Sequence, residues 1–128
     1  MRTRYAAGLA LLAGAGIGAV ATQALHAQAK PPVYVVSEIA VRNIPGYVNE
    51  YAPRAQESIT KAGGKILAAS LHVTQLEGPA PKRVVIQVWD SPEQIAAWAH
   101  GPDYDELRKI GERYAIFRSF AVEGLPRE

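Results

Sequence analysis

The sequence contains no cysteine. This absence excludes a disulfide-stabilised scaffold, a thiolate metal site, a cysteine nucleophile and a CxxC redox motif. The chain has three histidines, and none of them forms the HxH or HxxxH pair typical of a metal site. The motifs of serine hydrolases, P-loop enzymes and dinucleotide-binding proteins are also missing from the part that folds. We therefore expect no metal and no other cofactor in this 128-residue, single-domain chain.

The charges of the part that folds are balanced. The whole chain carries 14 basic and 12 acidic side chains, a formal charge of +2. Arg2 and Arg4 supply the difference, so 12 basic and 12 acidic residues remain from Lys30 onward. A neutral domain has no net attraction to a phosphate backbone, so nucleic acid is not expected as a partner.

The first 29 residues have the pattern of an export signal. Arg2 and Arg4 precede an uncharged stretch at residues 5–25 that is rich in alanine, glycine, leucine and valine. Ala27-Gln28-Ala29 then has small residues where signal peptidase cleaves. We predict a signal peptide over residues 1–29 and a periplasmic or secreted domain over residues 30–128. The alternative is an uncleaved anchor in which residues 5–25 span the inner membrane and the domain lies in the periplasm.

The order of the predicted elements is βαββαβ. Strands are expected at residues 33–41, 65–77, 83–89 and 116–123. Helical stretches are expected at about 43–62 and 92–114, the first with a kink or a restart near Ala52 because of Pro53 and the second interrupted at Gly101-Pro102. Right-handed crossovers then give an antiparallel sheet of order 4-1-3-2 with both helices on one face. This is the ferredoxin-like α+β sandwich.

The two faces of the third strand differ in polarity. Its wholly apolar set, which we expect to contact the helices, is Val84, Ile86 and Val88. Gln87 and Trp89 would then lie with Glu38 on the face without helices. Such a face is expected to bind a second copy of the chain, giving a barrel-like homodimer. Polar groups enclosed between the two sheets need hydrogen bonds, which predicts a cavity for a small, partly apolar molecule.

Several side chains are candidates for this cavity. The predicted ligand-binding residues are Tyr34, Glu38, Arg83, Gln87, Trp89 and Arg118, and the predicted catalytic residues are Glu38 and His72. Desolvation beside Trp89 would raise the pKa of Glu38, as a general base requires. The alternative is that Arg83 or Arg118 forms an ion pair with Glu38. The register of the edge strands stays open, so His72 and Arg118 face either the cavity or the other side.

Three functions are compatible with these patterns. The first is a module that binds a small, partly apolar molecule. The second is a cofactor-independent enzyme, similar to a monooxygenase or an isomerase, that transfers a proton through Glu38 with help from His72. The third is a homodimer without a ligand.

Several short motifs, taken together, resemble one protein family. They are Gly63-Gly64-Lys65-Ile66-Leu67, Leu76-Glu77-Gly78, Arg83-Val84-Val85-Ile86, Trp98, Tyr104 and Val122-Glu123-Gly124. Over residues 34–124 the chain is similar to the domain of unknown function 1330 family of dimeric α+β-barrel proteins. The resemblance implies a ferredoxin-like fold and dimerisation, without a particular reaction. Wider relatives of that kind include cofactor-free monooxygenases, isomerases and haem-dependent dismutases, so the fold alone does not select a function.

Overall fold

The computed structural model describes residues 30–127, and the predicted signal segment lies outside them. The elements in chain order are β1 Val33–Val41, α1 Ile44–Gly46, a π-helical segment Tyr47–Tyr51, α2 Ala52–Ala62, β2 Lys65–Ser70, β3 Arg83–Trp89, α3 Pro92–Ala99, α4 Pro102–Gly111 and β4 Ala115–Glu123. Residues Pro31–Leu125 form one compact unit. Within the described part of the chain, every helix is too short or too polar to cross a membrane.

The four strands form one antiparallel sheet in the order β2-β3-β1-β4. This is the predicted order 4-1-3-2 viewed from the other edge, and the ferredoxin-like α+β fold is confirmed. β1 and β3 are the central strands. Their register pairs Val35 with Gln87 and Ser37 with Val85, and this pairing decides which side chains share a face.

The helical connection between β1 and β2 departs from regular α-helix just before Pro53. Asn43 begins it, because the Asn43 side chain accepts a hydrogen bond from the Gly46 N–H at 3.0 Å. A π-helical turn precedes Pro53, and the Ala52 N–H donates to the carbonyl of Tyr47. The helix ends at Gly63, whose φ of 102° is in the left-handed region that glycine adopts readily.

The second helical connection is interrupted where the sequence predicts it. Ser91 caps α3, since its hydroxyl accepts a hydrogen bond from the Gln94 N–H at 3.2 Å. The Gln94 side chain in turn accepts from the Asp90 N–H at 3.1 Å. α3 ends at Ala99 and α4 begins at Pro102.

The predicted length of β2 is wrong. The strand ends at Ser70 rather than near residue 77. Ser70 pairs with Val84, and β3 begins one residue earlier, at Arg83. Beyond Ser70 the chain therefore has almost no partner strand to bond with. His72 lies in the exposed stretch that follows, where its N–H donates to the Ser70 hydroxyl at 2.9 Å.

The predicted orientation of β3 is also wrong. Val85, Gln87 and Trp89 are buried toward the helices, and the alternate set of Val84, Ile86 and Val88 lies on the face without helices. β1 buries Val33, Val35, Ser37 and Ile39, and opposite residues of an antiparallel pair point to the same side. The buried residues of β3 therefore point to the same side of the sheet as those of β1. We call the opposite side of the sheet, which carries no helices, the bare face.

Trp89 anchors the buried side of the sheet. Its side chain is 1% exposed and packs with Val35 and Ile59. The Trp89 and Trp98 rings lie with centroids 5.3 Å apart. Gly64 makes room for Trp89, because a Cβ atom there would lie 2.6 Å from the indole. A glycine at this position is therefore required by close packing.

Candidate functional site

A cavity of about 310 Å³ lies between the sheet and the helices. Its floor is the helix-facing side of the sheet, and the register arranges that floor in three rows. The rows are Arg83–Ile39–Phe117, then Val85–Ser37–Ser119, then Gln87–Val35–Ala121. The floor thus has a charged end, a hydroxyl-bearing middle and an amide-bearing end.

The helices form an aromatic roof over this floor. The predicted apolar stripe of the first helical connection lines the cavity with Tyr47, Tyr51, Ala55 and Ile59. The second connection contributes Trp98, Tyr104 and Arg108. The helices also line the cavity with Ala52, Ala55 and Ala99. These side chains are too small to reach the sheet, so the space beneath them remains open.

The cavity opens at the edges of the sheet. Ser119 and Ala121 on β4 are on the side that faces the helices, yet both are exposed. Ala69, which lines the cavity from β2, is exposed as well. A ligand therefore has a route into the cavity without unfolding of the core.

Gln87 places an amide in the lining of the cavity. The residue is 3% exposed, and its Oε1 accepts from Trp89 Nε1 at 2.8 Å. Because the indole nitrogen only donates, this bond fixes which amide atom is the oxygen. The other amide atom, Nε2, is a donor that suits an acceptor on a bound molecule.

The hydroxyls of the middle row satisfy each other. Ser37 Oγ and Ser119 Oγ are 2.8 Å apart, and either of them can donate. These groups can turn toward a ligand because a hydroxyl both donates and accepts.

Two arginines are the charged residues of the cavity lining. Nε of Arg83 donates to the Tyr47 hydroxyl at 3.2 Å. The Arg108 guanidinium lies 4.9 Å from the centroid of the Phe117 ring, and its Nη2 is 3.4 Å from a Glu112 carboxylate oxygen. No aspartate, glutamate or histidine among the described residues lines the cavity. The fixed charge of the lining is therefore positive.

Tyr51 is a neutral hydrogen-bonding group. Burial is the largest cause that raises the pKa of its phenol, and the neighbouring Tyr47 adds to the effect. The phenol therefore stays protonated at neutral pH. A phenolate base is not available from Tyr51 under these conditions.

The predicted site residues divide between the two faces of the sheet. Tyr34, Glu38 and Arg118 are on the bare face. Arg118 Nη1 is 2.6 Å from Glu38 Oε2, as in the alternative in which Arg118 pairs with Glu38. His72 is exposed beyond the end of β2.

The predicted grouping of Glu38 with Gln87 and Trp89 is wrong. Gln87 and Trp89 point toward the helices, because the alternation of β3 is opposite to the predicted one. Gln87 and Arg83 line the cavity, whereas Trp89 belongs to the core beside it. The candidate site is therefore within a single chain and not between two bare faces.

Sequence reasoning did not place most of the lining in a site, including the hydrogen-bonding side chains of Ser37, Tyr47, Tyr51, Arg108 and Ser119. The tyrosines occur at four-residue spacing with Ala55, a pattern that also describes an ordinary core stripe. No local signal in the sequence separates the two interpretations.

Two solved structures illustrate the likeness of the fold to known proteins. A protein of unknown function from Rhodopseudomonas palustris superposes with a TM-score of 0.63 and 17% identity, covering 75% of this chain and 84% of that one. SnoaB, a cofactor-independent oxygenase from Streptomyces nogalater, superposes with a TM-score of 0.55 and 13% identity, covering 72% of this chain and 91% of that one. Likeness at these identities shows the fold alone. No protein with a curated description matches this sequence.

The family assignment comes from the sequence itself. Residues 32–125 match the family described as a domain of unknown function, DUF1330. The match spans all four strands and the helices between them, and it agrees with the resemblance in the glycine-rich and strand motifs. The chain therefore belongs to the DUF1330 family.

Proposed function

We propose that this protein binds a small, largely apolar molecule in the cavity between the sheet and the helices. The observation that carries the proposal is the lining of this cavity, in which aromatic walls enclose the Gln87 amide and the Ser37 and Ser119 hydroxyls. Aromatic walls with a few polar groups are typical of small-molecule sites, which have volumes of about 300–1,000 Å³. The cavity of about 310 Å³ is at the small end of that range.

The enzymatic alternative has less support. It relies on Glu38 as a general base, but Glu38 is on the bare face and is held by Arg118. The lining formed by the described residues contains no carboxylate and no histidine. Binding is therefore the function that these side chains favour.

The binding proposal is tested by filling the cavity from its roof. Ala55→Phe is expected to weaken the binding of 2-naphthamide, a neutral aromatic probe, at least tenfold, because the added ring occupies the space beneath α2. Isothermal titration calorimetry measures the affinity. Quenching of tryptophan fluorescence is a second measure of binding, because Trp98 lines the cavity.

The matched control is Ala97→Phe. Ala97 is exposed on α3 and does not line the cavity, so this variant is expected to bind the probe like the wild type. A thermal melt shows that each variant is folded. Equal binding by a folded Ala55→Phe protein, or no binding by the wild type, would count against the proposed site.

We also propose that the bare face binds a second copy of the chain. Its centre is apolar, with Val36, Val84 and Ile86 side by side. On β4, Phe120 is 45% and Val122 is 50% exposed, which leaves a large apolar surface in water. The adjacent charges of Glu38 and Arg118 can pair with their symmetry mates across a two-fold axis.

We further propose that the domain is exported and that the leader is cleaved after Ala29. The support is the small-x-small pattern of Ala27-Gln28-Ala29 behind a basic start and an uncharged stretch. Mass spectrometry of the protein from a periplasmic extract is expected to find Lys30 at the amino terminus. Ala29→Arg is expected to retain the leader, whereas Gln28→Ser is expected to be processed. Full-length wild-type protein in the membrane fraction would favour the anchor instead.

A further inference from the structure

We infer that the ligand of this cavity is an aromatic carboxylate whose charged group binds Arg83. The inference rests on the proposed function, because it names the chemical class that the cavity accepts. The apolar walls alone indicate a neutral ligand, and the new element is a negatively charged group on it.

The Arg83 guanidinium is held in place but only partly used. Its Nε donates to the Tyr47 hydroxyl at 3.2 Å, and its central carbon lies 5.1 Å from the centroid of the Tyr47 ring. The two terminal nitrogens carry four further N–H donors, and no described residue accepts from them. The side chain is therefore oriented by Tyr47 with its terminal donors available.

Arg83 also has no acidic partner in the described part of the chain. Ion pairs of the described residues include Arg108 with Glu112, Lys109 with Glu106 and Arg118 with Glu38, and none of these involves Arg83. Arg83 is half-buried in the cavity lining, where its positive charge favours an anionic group on a bound molecule. A carboxylate matches the fork of terminal nitrogens with two parallel hydrogen bonds, and an anion offsets the positive charge.

The remaining lining defines the rest of the ligand. Arg108 adds a second positive charge, which lies over the Phe117 ring. At this end of the cavity an anion is therefore attracted by Arg83 on the sheet and by Arg108 on the helices. Gln87 is four residues from Arg83 on the same face of β3, about 13 Å along the strand at 3.3 Å per residue. The Gln87 donor therefore suits a second, neutral acceptor at the far end of a ligand whose middle contacts aromatic walls.

The test compares 2-naphthoate with 2-naphthamide, which have the same shape and differ in charge. Wild-type protein is expected to bind the carboxylate about 10- to 100-fold more tightly, the range for a charged hydrogen-bonded group. Arg83→Gln is expected to remove this preference, measured as the ratio of the affinities for the two probes on the same protein. Arg83→Lys is expected to restore part of it, because the charge returns without the fork. Calorimetry measures both probes on each protein.

Arg54→Gln is the matched control. Arg54 is exposed on α2 and lies outside this cavity, so the same change of charge there is expected to keep the preference. Equal affinity of the wild type for the two probes overturns the anionic ligand and leaves the proposed function standing. A preference that survives in Arg83→Gln overturns the role of Arg83. If neither probe binds to folded wild-type protein, the proposed function fails and this inference fails with it.

Discussion

Replacement of Trp89 by alanine is expected to lower the free energy of unfolding by about 3–5 kcal/mol. The side chain is 1% exposed and packs in the cluster formed with Val35 and Ile59. Its removal leaves a void at the point where β3, α2 and α3 meet, and it deprives Gln87 Oε1 of its donor. Gly64 cannot fill the void, because it has no side chain. Small domains have only about 5–15 kcal/mol of stability, so the variant would be close to unfolding.

Urea unfolding followed by far-ultraviolet circular dichroism measures this loss. Leu76→Ala is the control, because Leu76 is 90% exposed in the segment between β2 and β3. Its stability is expected to stay within about 0.5 kcal/mol of the wild type. A Trp89→Ala protein within about 1 kcal/mol of the wild type would place the indole outside the core and would contradict the orientation of β3.

The elements and their order could be predicted because they depend on local signals. Asn43, Ser91 and Gly63 mark helix ends through side-chain capping or a positive φ, and each acts within a few residues along the chain. Pro53, which lacks a backbone N–H, similarly marks the point where the π-helical turn gives way to regular α-helix. With the order βαββαβ given, the handedness of the crossovers leaves few sheet topologies, and the observed one is the simplest.

The orientation of β3 could not be predicted because it depends on a register. The argument that an apolar set meets the helices assumes that the other face is in water. Here Val84, Ile86 and Val88 are on the bare face, and the more polar set is buried because it lines a cavity. The orientation of β3 is visible only in the pairing of Val35 with Gln87. A shift of that register by one residue would exchange the two faces of β3.

The candidate site was missed for the same reason. Arg83 and Gln87 were identified as ligand-binding candidates, but the reversed alternation placed them beside Glu38 instead of beneath the helices. Tyr47 and Tyr51 come from the π-helical segment, and the contact of Tyr47 with Arg83 depends on how that segment packs on the sheet. A single sequence does not contain that packing in any local pattern.

Ile86→Glu is expected to convert the proposed dimer to a monomer, with a dimer dissociation constant at least 100-fold higher. Ile86 is on the central strand of the bare face, where it pairs with Val36 on one side and Ala68 on the other. Two-fold symmetry would bring a glutamate from each copy into an apolar interface, and burial of an unpaired carboxylate costs several kcal/mol. In the monomer the same side chain faces water, so the fold is expected to persist. Sedimentation velocity over a range of concentrations measures the change.

Ala97→Glu adds the same charge on the helix side and is expected to leave the dimer intact. Wild-type protein that sediments as a single chain at high concentration would contradict the proposed interface. The Ile86→Glu monomer is also expected to keep its affinity for 2-naphthamide, because one chain supplies every residue of the cavity lining described here. Loss of that binding with a folded monomer would mean that the second copy completes the site, and the cavity within one chain would then be only part of it.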